Sequence, residues 1–312
     1  MGVIARWRDV LPVGSATPEL TLGEGSTPLV HAARLSEQLG LELHLKVEGA
    51  NPTGSFKDRG MVVAVARAVE AGATGIVCAS TGNTAASAAA YGARAGIEAL
   101  IVHAAGSVSG AKLAQARISG ARVVAVPGTF EDAFQASLEY VDAGTHVHVN
   151  SVNPDRIAGQ KTAALELCEE LGRAPDVLAL PYGGGGNTCA YAAGFAEAGR
   201  GRTQLVAAES TDRSHTLASA IRIADPVHAA QVRATGATVV SVSDDELLDA
   251  WSELARLEGI FCEPASAAGL VALKRLRPEG ALAVCVLTGN GLKDTGAVDA
   301  VAPVLETLEA VR

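Results

Sequence analysis

Short runs of β-branched and aliphatic residues alternate along this chain with longer, alanine-rich stretches, the pattern of repeated βα units around parallel sheets. It predicts strands at Glu42–Val47, Gly75–Ala79, Glu98–Val102, Arg122–Val126, His146–Asn150, Val177–Leu180, Gln204–Ala208, Thr238–Val242 and Leu282–Leu287. Helices are predicted over Gly60–Ala71, Thr84–Ala95, Gly110–Ser119, Phe130–Ala143, Arg156–Gly172 and Asp244–Glu258. The last of these opens on Ser243-Asp-Asp-Glu246, a capping box that marks a helix start. The elements from Gly75 to Asn150 suffice for one compact unit, and those from Val177 onward make a second, larger sheet. The N-terminal segment has too few elements for its own core and must lean on one of these units. The fold class is therefore α/β with two lobes, and the cleft between such lobes is a natural ligand site.

Composition narrows the chemistry. With 48% hydrophobic residues in 312, most of the chain must fold. A formal charge of −9 argues against nucleic acid or an acidic membrane surface as partner, while a small anionic substrate stays possible through local basic groups. No charge-free apolar run reaches about 18 residues, and the start Met1-Gly-Val-Ile-Ala-Arg-Trp-Arg has no signal-peptide pattern. Arg6 stands where a myristoylation motif needs a hydroxyl residue. Cys78, Cys168, Cys189, Cys262 and Cys285 lack metal-finger spacing and read as reduced, mostly buried thiols of a cytoplasmic protein. His146 and His148 would share one strand face, but two ligands without a third make no metal site.

Candidate chemistry gathers in five loops. Asn51-Pro-Thr-Gly-Ser-Phe-Lys57-Asp-Arg59 places a lysine at a loop-to-helix junction. A positive charge at a helix N-terminus is disfavoured, so the amine there tends to lose its proton, as a Schiff-base lysine requires. The plain alternative is a solvated lysine in a first helical turn. Ser80-Thr81-Gly82-Asn83-Thr84 supplies hydroxyls, an amide and free N–H groups suited to a carboxylate and to the phenolic oxygen of pyridoxal phosphate. Gly183-Gly184-Gly185-Gly186-Asn187 follows a strand and opens a helix, so its N–H groups can converge on a phosphate monoester. It matches neither the dinucleotide fingerprint nor a P-loop. Thr288-Gly289-Asn290-Gly291 ends the last strand, where a neutral hydroxyl could face a pyridine nitrogen. Asn150-Ser151 leads to Arg156, a candidate bidentate clamp for an anionic group. The alternative for Arg156 is an arginine on the surface of the helix.

Taken together, these loops resemble the threonine synthases, members of the fold-type II pyridoxal-phosphate enzymes. The resemblance runs from Gly23-Glu-Gly-Ser-Thr-Pro-Leu29 to Thr288-Gly-Asn-Gly-Leu-Lys-Asp294, and includes Lys46-Val-Glu-Gly49 and Glu263-Pro-Ala-Ser-Ala-Ala268. It implies Lys57 as the cofactor-bound, proton-shuttling residue. It also implies Asn83 at the phenolic oxygen, Gly183, Gly184, Gly185, Gly186 and Asn187 at the cofactor phosphate, and Thr288 at the ring nitrogen. Ser80, Thr81, Thr84, Asn150, Ser151 and Arg156 are implied for the substrate's carboxylate and phosphate. The implied division is a large cofactor domain of residues 1–50 plus 151–312 and a small mobile domain of 51–150. The implied protein is a homodimer acting on a phosphorylated amino acid, O-phospho-L-homoserine, by γ-elimination and β-addition of water.

Three segments depart from the family. The phosphate loop has four glycines where the family carries Gly-Asn-Ala-Gly, which predicts a less rigid loop. His103-Ala-Ala-Gly106-Ser107 lacks the lysine of the family's Pro-x-Gly-Lys segment, and Glu209-Ser-Thr-Asp-Arg213 replaces a more amide-rich loop. They keep open a serine or threonine dehydratase or a β/γ-replacement enzyme and, from another class, a catalytically idle binding relative.

Overall fold

The computed structural model describes residues 1–106 and 110–302. Among these residues ten strands form two sheets. β1 (Leu29–His31), β2 (Glu42–Val47), β7 (Val177–Pro181), β8 (Gln204–Ser210), β9 (Thr238–Val242) and β10 (Leu282–Leu287) make a six-stranded sheet in the order β1-β2-β10-β7-β8-β9. β3 (Gly75–Ala79), β4 (Glu98–Ala104), β5 (Arg122–Val126) and β6 (His146–His148) make a four-stranded sheet in the order β5-β4-β3-β6. Every pairing is parallel except β1 with β2, where Leu29 faces Lys46. Parallel pairing sets the carboxyl ends of β2, β7 and β10 on one edge, and those of β3 and β6 on one edge of the other sheet. All the predicted loops except Ser80–Thr84 and Asn150–Arg156 therefore issue from, or lie beside, the large sheet's edge.

β3, β7 and β10 are buried at every position, as strands covered by helices on both faces must be. The large sheet's core joins Leu43, Leu45, Cys285 and Leu287 to Leu247, Trp251 and Leu270 from the helices Asp244–Glu258 and Ala268–Leu276. The capping box of the former is formed, with Ser243 Oγ accepting from Glu246 N. The small sheet's core centres on Ile76, Cys78 and Ile101, packed on the helices Lys57–Glu70 and Asn83–Ala95.

The structure refines several expectations. The stretch Arg156–Gly172 is two helices, Pro154–Gln160 and Thr162–Glu170, broken at Lys161. The strand at His146 stops at His148, and the side chain of Asn150 takes over the pairing with the neighbouring strand. β1, the helix Ala33–Leu39 and β2 pack with the large sheet's core. Val3, Ile4, Leu11 and Leu20 do not: they are buried in the small lobe's core with Met61, Val65 and Ala88. All five cysteines are free, four buried and Cys189 half-buried. His146 lies beside Glu98 and His148 beside Ser137, and among the described residues no group of three or more His, Cys, Asp or Glu could hold a metal ion. No helix among those residues is long and apolar enough to cross a membrane.

Candidate active site

The lobes meet where the Asn51–Phe56 loop pairs with the chain leaving β10. Ser55 forms an antiparallel bridge with Gly289, Phe56 N donates to Thr288 O at 3.0 Å, and Asn290 N donates to Gly54 O at 2.9 Å. Buried Asp58 fixes the loop from inside, accepting from Thr53 N (2.7 Å), Thr53 Oγ1 (2.6 Å) and Ser87 Oγ (2.6 Å). Lys57, the first residue of the helix Lys57–Glu70, leaves this braced turn half-buried, with Nζ 4.5 Å from the centre of the Phe56 ring. Burial and the Arg156 charge pull its amine down to about 7, against the opposing pull of Glu263. An amine so placed is neutral part of the time near neutral pH, as a nucleophile and proton carrier must be.

Arg156 is not the surface arginine of the plain alternative; it is 0% exposed. Its Nη1 donates to Val149 O at 2.8 Å, whereas Nε and Nη2 have no partner among the described residues. Burial lowers it to about 10, with Cys78 and Asp58 acting the other way, so it stays cationic at neutral pH. A buried cation with free donors is costly and calls for an anion. Its place beside Lys57 follows from two glycines. A Cβ on Gly60 would lie 2.3 Å from Arg156 O, and one on Gly159 would lie 2.1 Å from Arg59 O. Only with both glycines can the Lys57 and Arg156 helices pack this closely.

Ser80, Thr81 and Thr84 line the loop after β3, half-exposed, with Ser80 Oγ accepting from Gly82 N at 3.0 Å. Asn83 starts the helix Asn83–Ala95; its Nδ2 donates to both carboxylate oxygens of Glu263 (3.1 and 3.0 Å), and its buried Oδ1 is unpartnered. Asn150 spends its amide on the backbone of Ala79, accepting at 2.8 Å and donating at 2.9 Å. It therefore braces the start of the Ser80–Thr84 loop and keeps one Nδ2 N–H for a ligand. Ser151 sits opposite the glycine loop, its Cβ 3.9 Å from where a Cβ on Gly186 would stand.

The glycine loop runs from β7 into the helix Gly186–Ala198. Gly185 has φ +90° and no room for a side chain, since a Cβ would lie 2.8 Å from Val232 Cγ2. The loop is braced despite its four glycines. Arg213 Nη1 donates to Gly183 O at 3.3 Å while its guanidinium stacks on Tyr182 at 4.5 Å, and His228 N donates to Gly184 O at 3.1 Å. His228 Nε2 also lies 3.0 Å from Ser151 O, tying the loop to the segment that returns from the small lobe. Asn187 Nδ2 and Thr188 Oγ1, at the helix start, are buried without partners. Thr288 Oγ1 lies 3.1 Å from Ser266 Oγ, which accepts from Gly289 N at 3.1 Å.

These features fit pyridoxal phosphate. The helix start with its two orphaned polar groups fits the phosphate, the hydroxyl of Thr288 fits the ring nitrogen, and the low-pKa Lys57 fits the aldehyde. Glu263, Lys112, Ser266, Arg213 and His228 border these groups. Glu263 and Ser266 lie in the Glu-Pro-Ala-Ser-Ala-Ala string, but no local pattern separates Lys112, Arg213 or His228 from ordinary surface residues.

Residues 20–289 match the family described as pyridoxal-phosphate dependent enzyme, and the chain belongs to that family. Its fold is that of maize serine racemase, with a TM-score of 0.80, 22% identity, and coverage of 96% of this chain and 94% of that one. Within the family it belongs with the threonine synthases. It is 45% identical to the threonine synthase of Halalkalibacterium halodurans, over 94% of this chain and 90% of that protein. Against the threonine synthase of Mycobacterium tuberculosis the identity is 46%, over 94% and 89%.

Proposed function

We propose that this chain is a threonine synthase, converting O-phospho-L-homoserine and water to L-threonine and phosphate. One observation carries the reading at this site: two helices in glycine-to-glycine contact set Lys57, its amine drawn down to about 7, beside the buried guanidinium of Arg156 with two unpartnered nitrogens. A dehydratase has no phosphate on its substrate for that guanidinium to meet.

When bound, pyridoxal phosphate supplies an electron sink for the C–H bonds broken next to the substrate's amine. The glycine loop, with Asn187 and Thr188, would hold the cofactor's phosphate, and Thr288 its ring nitrogen. Arg156 would take the substrate phosphate bidentately, with Ser151 and Thr84 nearby, while Ser80 and Thr81 would receive the carboxylate. Lys57 Nζ would remove the α-proton and pass it on, then take a β-proton as the γ-carbon–oxygen bond breaks and phosphate leaves. Two protons would return to carbon in exchange, one to the γ-carbon and one to the α-carbon, while water gives its hydroxyl to the β-carbon and its remaining proton to the released phosphate. Thr288, held by Ser266, would meet the ring nitrogen with a neutral hydroxyl and bring no carboxylate to it. The same reading carries a cytoplasmic homodimer, which light scattering would check.

The test is phosphate release from O-phospho-L-homoserine by cofactor-loaded protein, with the amino acid identified by mass spectrometry. Threonine should appear with one phosphate each. Arg156→Ala should lose about a hundredfold or more in kcat/KM, because a buried charged contact is gone. Turnover of serine or threonine in preference to the phosphorylated substrate, untouched by Arg156→Ala, would overturn the reading in favour of a dehydratase.

A further inference from the structure

Lys112 lies on the small-lobe helix Gly110–Ile118, only 3% exposed, and among the described residues every group its ammonium reaches belongs to the large lobe. Nζ is 2.9 Å from Glu263 Oε1 and 3.3 Å from Asp294 Oδ2, and donates to Ser219 Oγ at 3.0 Å. Ser219 Oγ donates to Asp294 Oδ2 at 2.8 Å, closing the cluster. The Glu263 carboxylate that meets Lys112 also takes both hydrogen bonds from Asn83, again on the small lobe. A polar chain thus crosses the lobe junction twice, from Lys112 to Glu263 to Asn83. Glu263 is itself wedged against the backbone, since a Cβ on Gly289 would fall 2.2 Å from its Oε2.

We propose that Lys112 is a positioning residue, latching the small lobe onto the large one and holding Glu263 against Asn83 beside Lys57. None of the steps assigned above uses Lys112. A long, flexible ammonium is buried only where its partners are fixed, and here the partners are what the cofactor-side groups lean on. The inference rests on Lys57 as the cofactor-binding lysine. The charges facing this cluster are Lys57, Asp58 and Arg156 from the two packed helices and Asp294 and Lys293 from the segment after β10. Lys293 Nζ donates to Thr53 O at 2.5 Å; burial draws its amine down to about 8, with Glu263 and Asp58 raising it and Lys112 lowering it. Glu263 favours the charged form of Lys57, so releasing its carboxylate from Lys112 should raise the Lys57 amine.

Full-length wild type, Lys112→Met, Glu263→Gln and the double variant decide the matter by two readouts. The first is the rate at which the cofactor-free chain captures pyridoxal phosphate covalently, followed by absorbance against pH. Lys112→Met should move the midpoint up by roughly one pH unit, Glu263→Gln should move it down, and the double should match Glu263→Gln alone, because Lys112 acts on Lys57 through Glu263. Lys112→Arg, which keeps the charge, should keep the wild-type midpoint. The second is thermal unfolding, in which the double variant should lose less than the sum of the single losses. An unmoved midpoint in Lys112→Met, single variants shifting in the same direction, or additive unfolding losses would overturn the latch. A wild type that captures no cofactor would defeat the reading of Lys57 instead, and the unfolding cycle would still judge the Lys112–Glu263 pair.

Discussion

At the scale of single residues, the site depends on atoms that are missing as much as on those present. Gly60 allows the Lys57 helix to lie against the Arg156 backbone, where a Cβ would stand 2.3 Å from a carbonyl oxygen that cannot swing aside. Gly60→Ala should therefore push the two helices apart, costing about 1–3 kcal/mol of stability and lowering kcat/KM, as overpacking does. Urea unfolding and steady-state kinetics on the same preparation would check it; unchanged stability would mean the helices can slide freely. Lys57 itself was legible in the sequence because its signal is local: a Gly-Ser turn, a phenylalanine, then an amine at a helix start. Asn150 has a second task that no local pattern announces: its side chain also completes the pairing between β6 and β3. Lys112 gave no signal at all, since Ala-Lys-Leu-Ala on a helix reads as a solvated lysine until the other lobe is placed over it.

At the scale of elements, the helix that begins at Lys57 is anchored two residues on by a buried ion network. Arg59 Nε and Nη2 donate to Glu48 (2.7 and 2.8 Å), and Nη1 and Nη2 donate to the two oxygens of Glu166 (2.8 and 2.6 Å). Lys46 Nζ stands 3.4 Å from Glu166, and Ser26 N donates to it at 2.8 Å. Burial alone would raise the Glu166 carboxyl, but the Arg59 charge and hydrogen bonds, Lys46 and Ser26 outweigh it and bring it from 4.5 to about 2. A carboxylate depressed on folding contributes stability that is complete above its unfolded pKa and is lost as pH falls through its folded value. Glu166 should thus give up about 3 kcal/mol between pH 4.5 and about 2, at about 1.4 kcal/mol per pH unit. Glu166→Gln should be less stable at neutral pH yet flatter across that window, and urea unfolding at a series of pH values would show it. A second prediction concerns the phosphate loop: Gly185→Ala must be strained at φ +90° and collide with Val232. It should weaken pyridoxal-phosphate affinity at least tenfold while leaving the unliganded fold cooperative, read by cofactor titration and thermal melting. Strands that are apolar throughout, such as β3 and β10, were legible to the residue, because nothing polar interrupts them. β1 escaped notice: three residues at a sheet edge, Val30 and His31 exposed, leave no periodicity to read. The break at Lys161 was equally hidden, since the apolar spacing of Ile157 to Leu171 continues across it.

At the scale of the whole molecule, the two-lobed plan follows from the order of βα units, but the ownership of the first twenty residues does not. With too few elements for a core, that segment could serve either lobe on pattern alone, and only packing decides. Val3 and Ile4 are 1% and 0% exposed against the small lobe's helices, and Val3 N donates at 3.0 Å to Glu24, whose other oxygen accepts from Tyr91 OH at 2.9 Å. Tyr91 belongs to the helix behind the Ser80–Thr84 loop, so the segment clips together the two small-lobe helices that begin at Lys57 and Asn83. Cutting Ile4 back to alanine removes apolar volume from a closed core and should cost about 2–5 kcal/mol. The loss should be uneven. Hydrogen exchange in Ile4→Ala should quicken in the helices Lys57–Glu70 and Asn83–Ala95 and in β3, while β7 and β10 keep their protection. Because both helices start at residues of the site, cofactor capture should weaken together with small-lobe protection, although Ile4 lies outside the site. Faster exchange in β7 and β10 with a quiet small lobe would instead assign the segment to the large lobe. Uniform acceleration across both sheets would mean that the lobes unfold as one unit, their junction stronger than either core.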